Sequence, residues 1–236
     1  MRILMIGPPG AGKGTQGALI AAHFDIPRIV VGDLLRDQVA RGTDVGLAVD
    51  SHLGRGELVP DELVLCIVRQ ALIAARAAGG GYVFDGVPRT MAQARAAYKI
   101  AVELGMTANV AVYLRADDKE LIGRLLARAA VEHRSDDTEE VIRRRLQLYH
   151  QVTQPIIAWY SRRGILVSVD AMRPAGQVGR EILAALALKR PPAGHVRARV
   201  QRQVNLTGLE AQCGQASGLW RTAWAAHIPS CRLEGT

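Results

Sequence analysis

Lys13 is the residue from which a chemical reading of this chain starts. It stands in the run Gly7-Pro8-Pro9-Gly10-Ala11-Gly12-Lys13-Gly14-Thr15-Gln16, directly after the apolar residues Ile3-Leu4-Met5-Ile6. Glycines at such a turn let backbone N–H groups face inward around an anion, because side chains would block the approach. The helix that follows adds its partial positive charge at the same spot. The lysine supplies a mobile full charge that can follow a phosphoryl group as it moves. Gly10, Ala11, Gly12, Lys13, Gly14 and Thr15 are therefore candidates for cradling the phosphates of a nucleoside triphosphate. The strict phosphate-loop pattern has Ser or Thr right after the lysine. Here Gly14 intervenes and Thr15 comes next.

Moving a phosphoryl group between two nucleotides asks little of a base, since the attacking phosphate is already an anion. It needs positioning, and neutralisation of charge on the group in transfer. Arginine suits that task, because its fork binds phosphate oxygens bidentately and keeps its charge. Three further segments carry arginines: Val31-Gly32-Asp33-Leu34-Leu35-Arg36, Asp85-Gly86-Val87-Pro88-Arg89-Thr90 with Gln93 beyond, and Arg134-Ser135-Asp136-Asp137 followed by Arg143-Arg144-Arg145-Leu146; a fourth segment to be read with them is Leu58-Val59-Pro60-Asp61-Glu62. Arg124 and Arg128 lie four apart, on one face of a predicted helix. Asp85 ends a predicted strand beside the phosphate loop, where a carboxylate could hold water on Mg²⁺ or pair with Lys13 or an arginine. Asp33 ranks below it as a metal carboxylate, since it could cap a helix instead.

In this order and spacing the five segments resemble the adenylate kinases, the short-lid type of nucleoside monophosphate kinase, over residues 1 to about 188. Gly-Lys-Gly-Thr-Gln is that family's form of the loop, and residues 85–93 are similar to its Asp-Gly-Phe-Pro-Arg-Thr-x-x-Gln signature. The resemblance implies a P-loop nucleoside-triphosphate-hydrolase-like fold, with an insertion at about 30–59 that binds the monophosphate and a short lid at about 127–137. It implies Mg-dependent transfer from ATP to AMP giving two ADP, with Lys13, Arg89, Arg128, Arg134 and Arg145 catalytic. Arg124, Arg128 and Arg173 would join the loop around ATP. Val31, Arg36, Glu57, Leu58, Val59, Gly86, Arg89, Gln93, Arg134 and Arg145 would surround AMP. Gln93 favours a purine, since an amide can pair with adenine's edge in both directions. Two departures bear on the acceptor base: Val30-Val31 stands where the family has Ser-Thr, and Val87 where it has Phe. Losing a hydroxyl that reads the base would weaken discrimination by ~1–3 kcal/mol, which keeps a kinase for UMP, CMP or another nucleoside monophosphate open as an alternative.

These residues need a scaffold, and the hydrophobic pattern supplies one. Apolar, β-branched runs at 2–6, 28–31, 82–85, 109–114 and 165–169 read as strands. Helical patterns cover 13–23, 32–41, 60–77, 90–104, 117–127, 138–161 and 175–188. Strands alternating with helices imply an α/β fold of three layers, a five-stranded parallel sheet with helices on both faces. Such sheets bind ligands at the carboxyl ends of their strands. The lid segment has no cysteine and only His133, so no lid zinc is expected.

With 236 residues, 49% hydrophobic and 4% aromatic, the chain can bury a full core built mainly of Ala, Val, Leu and Ile. No apolar stretch approaches the ~20 residues of a membrane span, and the N-terminus lacks a signal-peptide pattern. Three scattered cysteines, Cys66, Cys213 and Cys231, suggest a reducing compartment. The expectation is a cytoplasmic monomer. The net charge of +8 is concentrated beyond the last predicted helix, where seven Lys and Arg against two Glu leave residues 189–236 at +5. That location argues against nucleic acid as the main partner. The extension, opened by Pro191-Pro192-Ala193-Gly194, shows no sustained period and reads as a loosely ordered appendage. Cys213, His227 and Cys231 in it do not have the spacing of a zinc module. A third reading, from a different class, makes the protein a nucleotide-responsive interaction module that uses this basic tail.

Overall fold

The computed structural model describes residues 1–132 and 138–189. The lid segment from 133 and the basic extension from 190 lie outside the described residues, and with them Arg134, His133 and two of the three cysteines. Five strands form one parallel sheet: β1 (Arg2–Ile6), β2 (Arg28–Val30), β3 (Tyr82–Asp85), β4 (Val110–Arg115) and β5 (Leu166–Asp170), in the order β2-β3-β1-β4-β5. The connection leaving β1 runs toward one edge and that leaving β4 toward the other, so a crevice opens at the carboxyl ends of the central strands. The phosphate loop emerges there.

Strand side chains alternate between the two faces. Tyr82 and Phe84 join a cluster with Ile67, Val68 and Leu72, whereas Val83 joins Ile3, Ile20, Leu121 and Ile182 on the other side. Each side chain of this kind removed from water contributes about 2 kcal/mol. Helices α1 (Lys13–Phe24), α6 (Asp118–Glu132) and α9 (Ala175–Leu188) cover the second face, and α4 (Asp61–Ala77) and α5 (Met91–Glu103) cover the first. The buried Gln16 ties α1 to α9 through its Nε2, which donates to the Ala175 carbonyl at 2.9 Å.

The five predicted strands all occur. Three helical expectations are corrected. Segment 42–57 contains a helix that hydrophobic periodicity had not revealed, α3 (Asp44–Gly54), packed against α2 (Val31–Ala40). Its local signal is a cap: Thr43 accepts from the Gly46 N–H at 3.0 Å. Gly46 also allows contact with α2, since a Cβ there would lie 2.1 Å from the Gln38 carbonyl oxygen. Gly46→Ala should therefore destabilise the protein by about 1–3 kcal/mol, read as a lowered calorimetric Tm. Next, α6 runs five residues past the predicted end at 127, because Leu125 to Val131 holds no helix breaker.

Finally, the single helix predicted over 138–161 is divided into α7 (Glu139–Leu148), a π-helical turn (Tyr149–Thr153) and α8 (Pro155–Arg162). Pro155 has no N–H to continue an α ladder and would crowd the preceding turn. The chain widens instead, and the Gln154 N–H donates to the Tyr149 carbonyl at 2.9 Å.

Candidate active site

The site grows from the ends of the central strands. Parallel register sets Met5 of β1 beside Asp85 of β3, and Asp85 beside Val30 of β2. The phosphate loop, the Asp85–Arg89 loop and the start of α2 consequently meet at one place. Gly10 has φ +81°, and a Cβ there would sit 3.0 Å from Leu125 of α6 and 3.2 Å from the Leu121 carbonyl. Only glycine lets the loop lie this close to α6. Lys13 opens α1 and folds over its own loop, its Nζ donating to the Gly7 and Pro8 carbonyls at 2.9 and 2.8 Å. Desolvation pulls its pKa down to about 8, against the pull of Asp85, with Arg89 and Arg128 adding to the lowering.

A cavity of about 630 Å³ joins these elements. Its phosphate side holds Gly10, Gly12, Lys13, Gly14 and Thr15, and Arg28, Arg36, Arg89, Arg124, Arg128 and Arg145 line it from five different elements. Six arginines in one cavity make an anion site of high charge. Burial of Arg89, helped by Arg145 and Arg36, lowers its pKa against the influence of Asp85. Arg36 is paired with Asp33 on the same helix, so Asp33 is already neutralised. Arg124 donates to the Ala171 carbonyl at 3.1 Å and lies 3.4 Å from Glu120. Asp85 is 7% exposed and also lines the cavity.

The far wall is apolar: Val31, Leu35, Val59, Val64 and Val87 line it, with Leu58 and Gly86 at its edges. Gln93 is the buried amide in this wall, 2% exposed. Its Oε1 accepts from the Arg89 N–H at 2.8 Å, and its Nε2 donates to Asp61 Oδ1 at 2.8 Å.

Most of the residues singled out from sequence are brought together here. Ala11, 2% exposed, supports the loop from behind rather than facing the cavity. Arg173 does not reach it and instead pairs with Glu181 at 3.0 Å and Asp170 at 3.8 Å. Glu57 lines the cavity, yet its carboxylate is held by Arg144 of α7 at 2.8 Å, Arg55 at 3.2 Å and His52 at 3.3 Å. Partial desolvation would raise its pKa, but Arg55, Arg144 and His52 outweigh this and lower it.

The Glu57–Arg144 pair links segment 30–59 to α7. Because both groups are partly exposed, Glu57→Gln should leave global stability nearly unchanged. It should nevertheless speed amide exchange in α3 several-fold, an effect that fades at high salt.

Thr153 had no functional signal in the sequence; it lies in the π-helical turn and donates from Oγ1 to the Arg89 carbonyl at 2.8 Å. Asp61 is marked there only as part of the segment at 58–62, with no role of its own, yet it orients Gln93.

The sequence profile of the family described as adenylate kinase matches residues 5–165. The chain belongs to the adenylate kinase family. An adenylate kinase of Thermobifida fusca is 41% identical over 186 residues, covering 79% of this chain and 98% of the relative. One from Thermus thermophilus is 42% identical, covering 79% and 97%. That of Synechococcus sp. WH7803 is 44% identical, covering 79% and 98%. This is a phosphotransferase family, and the loop, arginines and apolar wall described above are where this member of the adenylate kinases would carry out such chemistry. No described helix is long and apolar enough to cross a membrane.

Proposed function

We propose that the protein transfers the terminal phosphoryl group of ATP reversibly to AMP, giving two ADP, as a cytoplasmic monomer. The observation that carries this reading is the convergence of the phosphate loop and six arginines on one cavity whose other wall is apolar with a buried amide. Gly10, Gly12, Gly14 and Thr15 with Lys13 hold the donor's phosphates, and Arg128 lies against them. Arg124 stacks toward the donor's base. Arg36 and Arg89 grip the acceptor's phosphate, and Arg145, with Arg134 assigned from its motif alone, closes over the reacting groups. The segment at 30–59 receives the monophosphate, and the segment at 127–137 acts as the lid that keeps water from accepting the phosphoryl group.

The donor set suits magnesium. Among the described residues no group of three or more His, Cys, Asp or Glu gathers as a cage. One buried carboxylate, Asp85, faces the phosphate side of the cavity. Mg²⁺ leans on substrate phosphates and its own waters, so one carboxylate holding a water suffices. When bound, the ion neutralises charge on the phosphates; the chain's own residues orient donor and acceptor in line. Turnover measured with ATP across AMP, UMP and CMP tests the assignment. AMP should be the best acceptor, and negligible turnover with AMP beside good turnover with CMP would overturn it.

A further inference from the structure

The Gln93 amide is buried between two partners of opposite character. The Arg89 backbone N–H can only donate, and the Asp61 carboxylate can only accept. Rotating the amide by half a turn would set its NH₂ against an N–H and its oxygen against a carboxylate, so one orientation is fixed by both neighbours at once. Asp61 is itself held in place. It is the first residue of α4, directly after Val59-Pro60, and Thr90, the N-cap of α5, lies 3.5 Å from its second oxygen. Thr90 in turn accepts from the Gln93 N–H at 3.0 Å, which anchors the backbone of the residue whose side chain is being oriented.

After these bonds the amide retains one N–H and one oxygen lone pair. Both are set in a definite order, on a residue that lines the apolar wall. An unrestrained glutamine could read a purine in either order. Adenine presents an amino donor at C6 beside an N1 acceptor; hypoxanthine and guanine present an oxo acceptor beside an N1–H donor. An amide of fixed order matches only one of these edges and sets like against like on the other. With valines at 30 and 31, no hydroxyl from that corner adds to the readout.

We infer that Asp61 is a specificity-positioning residue: by locking the Gln93 amide it makes the acceptor site read a 6-amino purine and reject a 6-oxo purine. This rests on AMP being the acceptor, as given under Proposed function, with its base set against the apolar wall beside the buried Gln93 amide. The experiment compares kcat/KM for AMP and inosine monophosphate, which differ at C6 and N1 alone, in the full-length protein with ATP as donor. Four forms are needed: the unaltered chain, Asp61→Asn, Gln93→Met and the double variant. Asparagine keeps the size of Asp61 but can turn its NH₂ toward Gln93, so the acceptor-only partner is lost and the Arg89 N–H alone is left to hold the amide's order.

The AMP preference is expected to fall roughly tenfold in Asp61→Asn and at least as far in Gln93→Met, with no further fall in the double variant. If Gln93→Met lowers the preference but Asp61→Asn does not, the lock is wrong while the base-reading role of Gln93 stands. If Gln93→Met leaves the preference unchanged, the placement of the base beside Gln93 fails and the lock fails with it. A fall caused by Asp61→Asn on the Gln93→Met background would show a general structural effect and overturn the proposal. Should Asp61→Asn melt at the assay temperature, Asp61→Ser takes its place, because a hydroxyl also both donates and accepts.

Discussion

Arg89→Ala should lower kcat by roughly 10³-fold or more while leaving Tm within a few degrees. Arg89 stands just past the strand end that carries Asp85, and its guanidinium meets the cavity where a transferring phosphoryl group would gather charge. The surrounding loop does not depend on the guanidinium for its shape. The Arg89 N–H donates to Gln93 and the Arg89 carbonyl accepts from Thr153, both at 2.8 Å. Truncation would remove one side-chain bond, from Nε to the Gly86 carbonyl at 2.9 Å, and keep the backbone pinned on both sides. Lysine should restore little, because a compact ammonium cannot bind two phosphate oxygens through a planar fork. Steady-state kinetics beside calorimetry checks both halves. A large loss of Tm would indicate that the arginine supports the fold.

Lys13→Met is the second large effect, with kcat/KM expected to fall by about 10²–10³-fold. Its stability effect should run the other way. Lys13 keeps its proton in the folded protein only up to about pH 8, against an ordinary value of 10.5. Between those values the unfolded chain binds the extra proton, so stability rises with pH across that window; below pH 8 the buried ammonium is a standing cost. Lys13→Met should thus melt higher than the unaltered protein at pH 7, and the difference should shrink as pH climbs from 8 toward 10. Affinity for a non-hydrolysable ATP analogue should also weaken above pH 8, and Lys13→Arg should flatten that slope. Calorimetry and titration calorimetry over pH 6.5–9.5 read both predictions.

The two variants together explain why this site costs stability to build. Six guanidiniums and an ammonium line one cavity, where burial first and mutual repulsion second lower the pKa of both Lys13 and Arg89. Two nucleotides would bring the charge that relieves it. Partners within the protein hold two of the other arginines in check: Asp33 on Arg36 and Glu120 near Arg124. These pairs lie at the rim and are partly exposed, where each contributes ~1 kcal/mol or less. They can exchange with substrate phosphates at small cost.

What the sequence determined by itself is local or strictly periodic. Ile3 to Ile6 followed by a glycine-rich turn and Lys13 is contiguous, so strand, loop and helix start could be read together. β-branched runs between helical stretches settle a parallel sheet, because parallel strands need crossovers and both faces must be covered. The motif at 85–93 likewise lies within nine residues. Tertiary structure decided what depends on partners far along the chain. The helix at 44–54 is stabilised by a cap and a close approach to Gln38 rather than by a clear apolar stripe. The π-helical turn arises where Pro155 meets the packing of α7, and it delivers Thr153 to Arg89 across 64 residues. Arg173, plausible from its position, is drawn to Glu181 and Asp170 instead, and the carboxylate of Glu57 to Arg144, 87 residues away. Gln93 shows the division most clearly. Its place in a motif marks it for a purine edge in either sense, and only Asp61, 32 residues earlier, gives the amide a direction. An amide's orientation is set by what surrounds it, and residues distant in sequence become neighbours only once the sheet and its helices have formed.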